Sequence, residues 1–292
     1  MKITITGSLG NISKPLAHEL TGAGHELTII TSSEDRKADI EALGATAAVG
    51  SVSDAAFLKQ AFTGADAVYT MVPPNLGGSN IVSNTTAAGK AYAEAIRNAG
   101  VKRVVLLSSV GADQARENGP ILGLHHIEQV YSQLSSVAVT YLRAGFFYNN
   151  FFNDIPLIKG MNIMGGNYPG TISMPLVHPT DIAAAAAEEL QKEDAGTGVR
   201  YIISDERTPN EVASALGAAT GKPGLPWVEF TDEQSLQGML QAGLPPEVAA
   251  LYTEMGRGLR TGIIQGHFHE TGAPVTGQVK LEQFAREFAA KF

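Results

Sequence analysis

A glycine-rich turn, Gly7-Ser8-Leu9-Gly10-Asn11-Ile12-Ser13, follows the first β-branched run of the chain and opens its first helical pattern. Glycine at position 7 would permit a tight strand-to-helix turn, and glycine at 10 would let the backbone approach a diphosphate. The N–H groups at the start of the helix would then hold that anion. Ser13 stands where a third glycine is expected, so the fingerprint is incomplete. Its support is context, the first strand of an alternating series. The second strand ends in Thr31-Ser32-Ser33, with Glu34 and Asp35 one step later and then Arg36 and Lys37. A site for NAD usually carries its carboxylate at the strand end itself. Hydroxyls beside a cation suit a ribose 2′-phosphate, which favours NADP over NAD; the competing reading of Arg36 and Lys37 is a solvated helix start.

Other side chains could carry chemistry. Phe146, Phe147, Tyr148, Asn149 and Asn150 follow a strand end and are candidates to line an acceptor pocket, with the amides polarising a carbonyl and Tyr148 giving a proton. Packing between lobes is the alternative for at least one phenylalanine. His125 and His126 open a helix and could act as general acids near neutral pH, or lie on the surface. His267-x-His269-Glu270 would put two imidazoles on one face of an extended segment, but no third ligand is evident and no metal is expected. Ser108-Ser109 lacks the Gly-x-Ser-x-Gly of a nucleophile elbow. Asp181 reads as a first-turn helix charge.

These residues need a scaffold. Strand patterns at 2–6, 26–31, 45–49, 67–72, 103–108 and 138–143 alternate with helical patterns at 15–23, 36–43, 55–62, 79–99 and 124–134. That alternation predicts an α/β fold, a doubly wound parallel sheet of the Rossmann type, with ligands beyond the carboxyl ends of its strands. A helix over 180–191 and a strand over 199–204 rejoin the sheet. The rest reads as short helices and loops, a smaller, mostly helical C-terminal lobe. The expected division is residues 1–152 with 177–206 for the dinucleotide, and 153–176 with 207–292 covering the substrate. The 292 residues carry a net charge of −8 and no cysteine. The charge argues against nucleic acid or an anionic membrane as partner. The missing thiols exclude disulfides, thiolate metal sites and cysteine nucleophiles. With no leader pattern or apolar span, a cytoplasmic monomer or homodimer is expected.

The segments Leu142-Arg143-x-Gly145-Phe146-Phe147, Asn149-Asn150 and His178-Pro179-x-Asp181-Ile182-Ala183, added to the glycine turn, resemble the NmrA-like branch of the atypical short-chain dehydrogenase/reductases. The resemblance runs nearly end to end and implies that Gly7, Leu9, Gly10, Asn11 and Ile12 form the pyrophosphate loop. It places Ser32 and Arg36 at the adenosine ribose, and Ser51 and Val52 beside the adenine, where relatives often have Asp. It places Met71, Val72 and Pro73 near the nicotinamide ribose, and Ser108, Ser109 and Val110 near the nicotinamide.

Classical members of that superfamily use Tyr-x-x-x-Lys to move a proton, and no tyrosine here has Lys four residues later. Reducing an isolated ketone makes an alkoxide, for which a positioned acid matters greatly. A quinone becomes a resonance-stabilised anion that needs less help. The expectation is therefore an NAD(P)H-dependent oxidoreductase acting on a quinone-like small-molecule acceptor. The alternatives are a non-catalytic redox sensor acting through a protein partner, and an epimerase- or lyase-like relative that retains its cofactor.

Overall fold

The computed structural model describes residues 1–73, 78–193 and 196–292. Strands β1 (Lys2–Ile5), β2 (Glu26–Thr31), β3 (Thr46–Val49), β4 (Ala67–Thr70), β5 (Arg103–Ser109) and β6 (Ala138–Ala144) alternate with helices α1 (Ser13–Gly22), α2 (Lys37–Ala42), α3 (Ala55–Phe62), α4 (Ile81–Ala99) and α5 (Leu122–Tyr131). Next come β7 (Phe146–Phe147), α6 (Ile155–Met161), β8 (Met164–Gly166) and β9 (Met174–Val177). Then follow α7 (Pro179–Leu190), β10 (Gly198–Ile202), β11 (Asp205–Arg207), α8 (Pro209–Ala219) and β12 (Trp227–Glu229). Helices α9 (Asp232–Gln241), α10 (Pro246–Thr261), α11 (Gly266–Thr271) and α12 (Leu281–Lys291) complete the chain.

The central sheet runs β3-β2-β1-β4-β5-β6-β10, and every pairing in it is parallel. Strand order reverses between β1 and β4, so the crevice above their carboxyl ends is the expected ligand position. Both faces are covered, as near-continuous apolar strands require. Leu16 and Leu20 of α1, with Ile182 and Ala186 of α7, pack on Ile3, Ile5 and Leu142. On the other face, Phe62, Tyr92, Ile96, Ile127 and Tyr131 meet Val68, Val104 and Leu106. The alanines of α7 explain its close fit: small side chains let a helix lie tight against α1 and the sheet.

A third core holds Tyr148, Phe151, Leu176, Val212, Leu216, Phe284 and Phe288, away from the central sheet. Two small sheets frame it. One is β11-β9-β7; the other pairs β12 with β8 in parallel. The sequence reading placed only helices and loops after residue 204; β11 and β12 correct it. Strands of three residues are too short to display an alternation. The segment around His267 is also helical (α11), where it was expected to be extended.

Helix α10 returns over the strand ends. A Cβ at Gly119 would overlap the Leu251 carbonyl oxygen, so this turn and α10 are in direct backbone contact. The Glu247 carboxylate of α10 accepts the N–H groups of Asn80 (2.6 Å) and Ile81 (2.8 Å) at the start of α4. Among the described residues no helix is long and apolar enough to cross a membrane.

Candidate functional site

The glycine turn leaves β1 in a left-handed conformation, with φ of +91° at Gly7 and +54° at Ser8. Glycine adopts such angles freely; Ser8 is held there by its N–H to the Ile30 carbonyl (3.0 Å) and its hydroxyl to Thr31 Oγ1 (3.0 Å). A Cβ on Gly7 would stand 2.6 Å from Ser13 Oγ and 2.9 Å from Met71 Sδ. Ser13 is fully buried and donates to the Thr6 carbonyl at 2.8 Å. This is how a serine replaces the third glycine: its hydroxyl is consumed tying α1 to β1. The N–H groups of Leu9, Asn11 and Ile12 donate to no acceptor among the described residues, and no side chain caps α1. Gly10 and Asn11 are exposed. A loop with free backbone donors, a positive helix end and no Cβ in the way fits a dinucleotide diphosphate.

Beyond that loop, Leu9, Ala42 and Leu43 floor a surface depression of about 250 Å³, bordered by Lys14, Arg36 and Asp39. Arg36 was expected at this end; Lys14 was not. Ser32 is exposed at the end of β2. Ser51 accepts the Ser53 N–H at 3.2 Å, and Val52 packs against the core beside α3 and α4.

A second, apolar cavity of about 260 Å³ lies above the carboxyl ends of β4, β5 and β6. Its walls include Met71 and Val72, Ser108, Ser109 and Val110, and Phe146, Phe147 and Asn150. Tyr252 and Met255 of α10 close it from above, with Ile81 and Thr85 of α4 beside them. Pro73 and Asn149 are not part of this lining.

Tyr148 is a correction. Proton donation was read for it, yet it begins a 3₁₀ turn that swings it into the third core, fully buried and stacked on Phe284 with ring centroids 4.9 Å apart. Its hydroxyl has no partner among the described residues, and burial pushes the phenol well above its ordinary pKa. The two histidines are also displaced from the expected role. His125 Nδ1 lies 2.8 Å from the Ala112 carbonyl oxygen and His126 Nδ1 lies 3.0 Å from Thr86 Oγ1. Neither lines the cavity; α5 presents Leu124 there instead.

Behind the cavity wall sits a buried charged network. Ser108 donates its hydroxyl to Glu128 Oε1 at 2.6 Å. Glu128 receives Arg143 Nε at 3.1 Å and Nη2 at 2.7 Å, a two-pronged pair buried on both sides. Arg143 Nη1 reaches the Tyr201 hydroxyl at 3.2 Å and Asp113 at 3.5 Å. Burial alone would lower the pKa of Arg143, but hydrogen bonding to Glu128 outweighs it and holds the guanidinium firmly charged. Sequence reasoning gave this pair no role. The available signal was a lone arginine inside the otherwise uncharged strand Val139–Ala144.

Tyr252 was also missed. It lies in an amphipathic helix whose local pattern distinguishes no residue. Its hydroxyl bonds to nothing among the described residues, and burial raises its pKa. His267 pairs with the Tyr201 hydroxyl, and His269 Nε2 lies 2.9 Å from Glu206. Among the described residues no three His, Asp or Glu side chains converge as metal ligands.

Comparison with known proteins matches residues 1–233 to the model of the NmrA-like family. An NAD(P)H azoreductase of Xenophilus azovorans is 27% identical, over 99% of this chain and 99% of that one. Among solved structures, the NADPH-dependent quinone oxidoreductase of Escherichia coli in complex with NADPH superposes with a TM-score of 0.81 at 20% identity, covering 98% of this chain and 99% of that one. The triphenylmethane reductase of Citrobacter sp. complexed with NADP(H) gives a TM-score of 0.81 at 17% identity, with the same coverage.

Proposed function

The chain belongs to the NmrA-like family, and from that premise we propose that it is an NAD(P)H-dependent oxidoreductase that passes hydride to a conjugated acceptor of the quinone class. One observation carries the reading. Met71 lies against Gly7 on one side and lines the apolar cavity on the other, so the diphosphate loop and the acceptor space are adjoining parts of one site.

In this reading residues 1–152 with 177–206 hold the dinucleotide, and residues 153–176 with 207–292 cover the acceptor. The amides of Leu9, Asn11 and Ile12 bind the diphosphate. Arg36, joined by Lys14, faces the ribose phosphate, which makes NADPH the preferred form. The nicotinamide supplies hydride when bound. Val72, Phe146, Phe147 and Met255 exclude water from the acceptor, and Asn150 offers an amide to its carbonyl. Among the described residues the lining contains no Asp, Glu, His or Lys. Such a cavity gives little assistance to an isolated ketone but suffices where the product anion is delocalised. The relatives named above are, by their names, reductases of azo, quinone and triphenylmethane compounds, all conjugated.

The test is loss of NADPH absorbance with a panel of quinones, alongside titration with NADPH and NADH. Acceptor-dependent oxidation and tighter binding of NADPH are expected. Silence across the panel, or no binding of either dinucleotide, overturns the proposal.

A further inference from the structure

We propose that Tyr252 gives the proton that completes reduction of a neutral acceptor; the inference rests on the oxidoreductase reading above. The Ser108 hydroxyl hydrogen is committed to Glu128, and that of Ser109 to the Val110 carbonyl at 2.9 Å. Glu128 does not line the cavity, and its two oxygens are taken up by Arg143 and Ser108. His125 and His126 are turned away, and Tyr148 is sealed in another core. Among the described lining residues Thr85, Asn150 and Tyr252 are left, and of these the phenol is by far the strongest acid, at about 10 in water. Tyr252 stands on α10, the helix that roofs the cavity, with its hydroxyl uncommitted among the described residues. Burial raises its pKa, so the proton is in place at neutral pH.

The chemistry is matched. A quinone that accepts hydride with its electron pair becomes a hydroquinone monoanion, and the dinucleotide is left as its oxidised pyridinium. The Tyr252 O–H bond breaks and an O–H bond forms on the anion. The phenolate then recovers a proton from water. Donor and product are both phenols, so the transfer is close to thermoneutral, where a positioned acid is most useful.

Acceptor charge separates this role from a packing role. A cationic acceptor such as N-methylacridinium becomes neutral on taking hydride and needs no proton. Tyr252→Phe keeps the ring and removes only the hydroxyl. Menadione and N-methylacridinium are each assayed at saturation in both proteins, with NADPH affinity followed by fluorescence. Expected for Tyr252→Phe is a fall in menadione turnover of about tenfold or more, with acridinium turnover and NADPH affinity unchanged. An equal fall with both acceptors, or no fall with either, overturns the proposal. If the wild type turns over neither acceptor, the oxidoreductase reading fails, and this inference with it. The pH profile of menadione reduction decides independently, even if the cation is not a substrate. The wild type should lose rate in the alkaline range as the phenol ionises, and Tyr252→Phe should lack that loss. The same alkaline loss in both proteins overturns the assignment.

Discussion

Arg143 and Glu128 show what a single buried residue can demand of its neighbours. Two charges have left water and each is satisfied by the other and by the hydroxyls around them, with Asp113 at 3.5 Å as a second acid beside the guanidinium. Replacing Arg143 with Met strands a carboxylate in the interior, and we expect a loss of about 3–5 kcal/mol in urea denaturation. The double change with Glu128→Leu should recover part of it, since the buried Glu128 carboxylate is gone and only the partly exposed Asp113 loses its cation. Asp154 carries a different liability. It is half-buried, and burial pushes its carboxyl up to about 7. Its folded-state pKa therefore exceeds the unfolded value of about 4, so its contribution to stability is full at acidic pH and is lost as pH rises through about 7. Asp154→Asn should gain in melting temperature over the wild type at about pH 8 and not at about pH 4, as followed by circular dichroism. The open backbone donors of the glycine turn were legible in the sequence because they follow from backbone geometry, tied to the glycines at positions 7 and 10. Tyr252 was not legible, since what it does depends on where α10 comes to lie.

At the scale of elements, the six β-branched runs and the helices between them were readable because most of the strands are buried and written as apolar runs; edge strand β3, exposed or half-buried along its length, is the exception. Strand β4 ended at Thr70, earlier than residue 72, because Met71 and Val72 leave the sheet to line the cavity. Helix α11 was misread because His-x-His suggests an alternation that its hydrogen bonding does not follow. The contact between α10 and α4 yields a prediction of its own. The Glu247 carboxylate fastens the roof of the cavity to its side wall through two backbone N–H groups. Hydrogen bonds to a charged group contribute about 1.5–3 kcal/mol each. On the proposed function, Glu247→Gln should therefore raise the KM for the acceptor severalfold and change the affinity for NADPH less, since the glycine turn proposed to hold the diphosphate is not tied to this bridge.

Across the whole molecule, charge and shape act together. The chain carries a net charge of −8, and among the described residues the cavity lining holds no Lys, Arg or His. An anionic acceptor would meet repulsion on approach and no counter-charge on arrival. A sulfonated naphthoquinone should show a lower kcat/KM than its uncharged parent, and added salt should narrow the gap by screening the long-range part. The fold's first half could be read along the chain, but the site could not be closed that way: its roof comes from residues some 180 positions beyond Met71, brought back by packing that no local pattern announces.

The Glu247 bridge also gives the molecule an internal clock. The amides of Asn80 and Ile81 are secured by a side chain 167 and 166 residues away. They can trade hydrogen for deuterium only when the Glu247 carboxylate lets them go. Uptake at the more buried Ile81 would report release of this bridge between roof and wall, with no ligand bound and no turnover required.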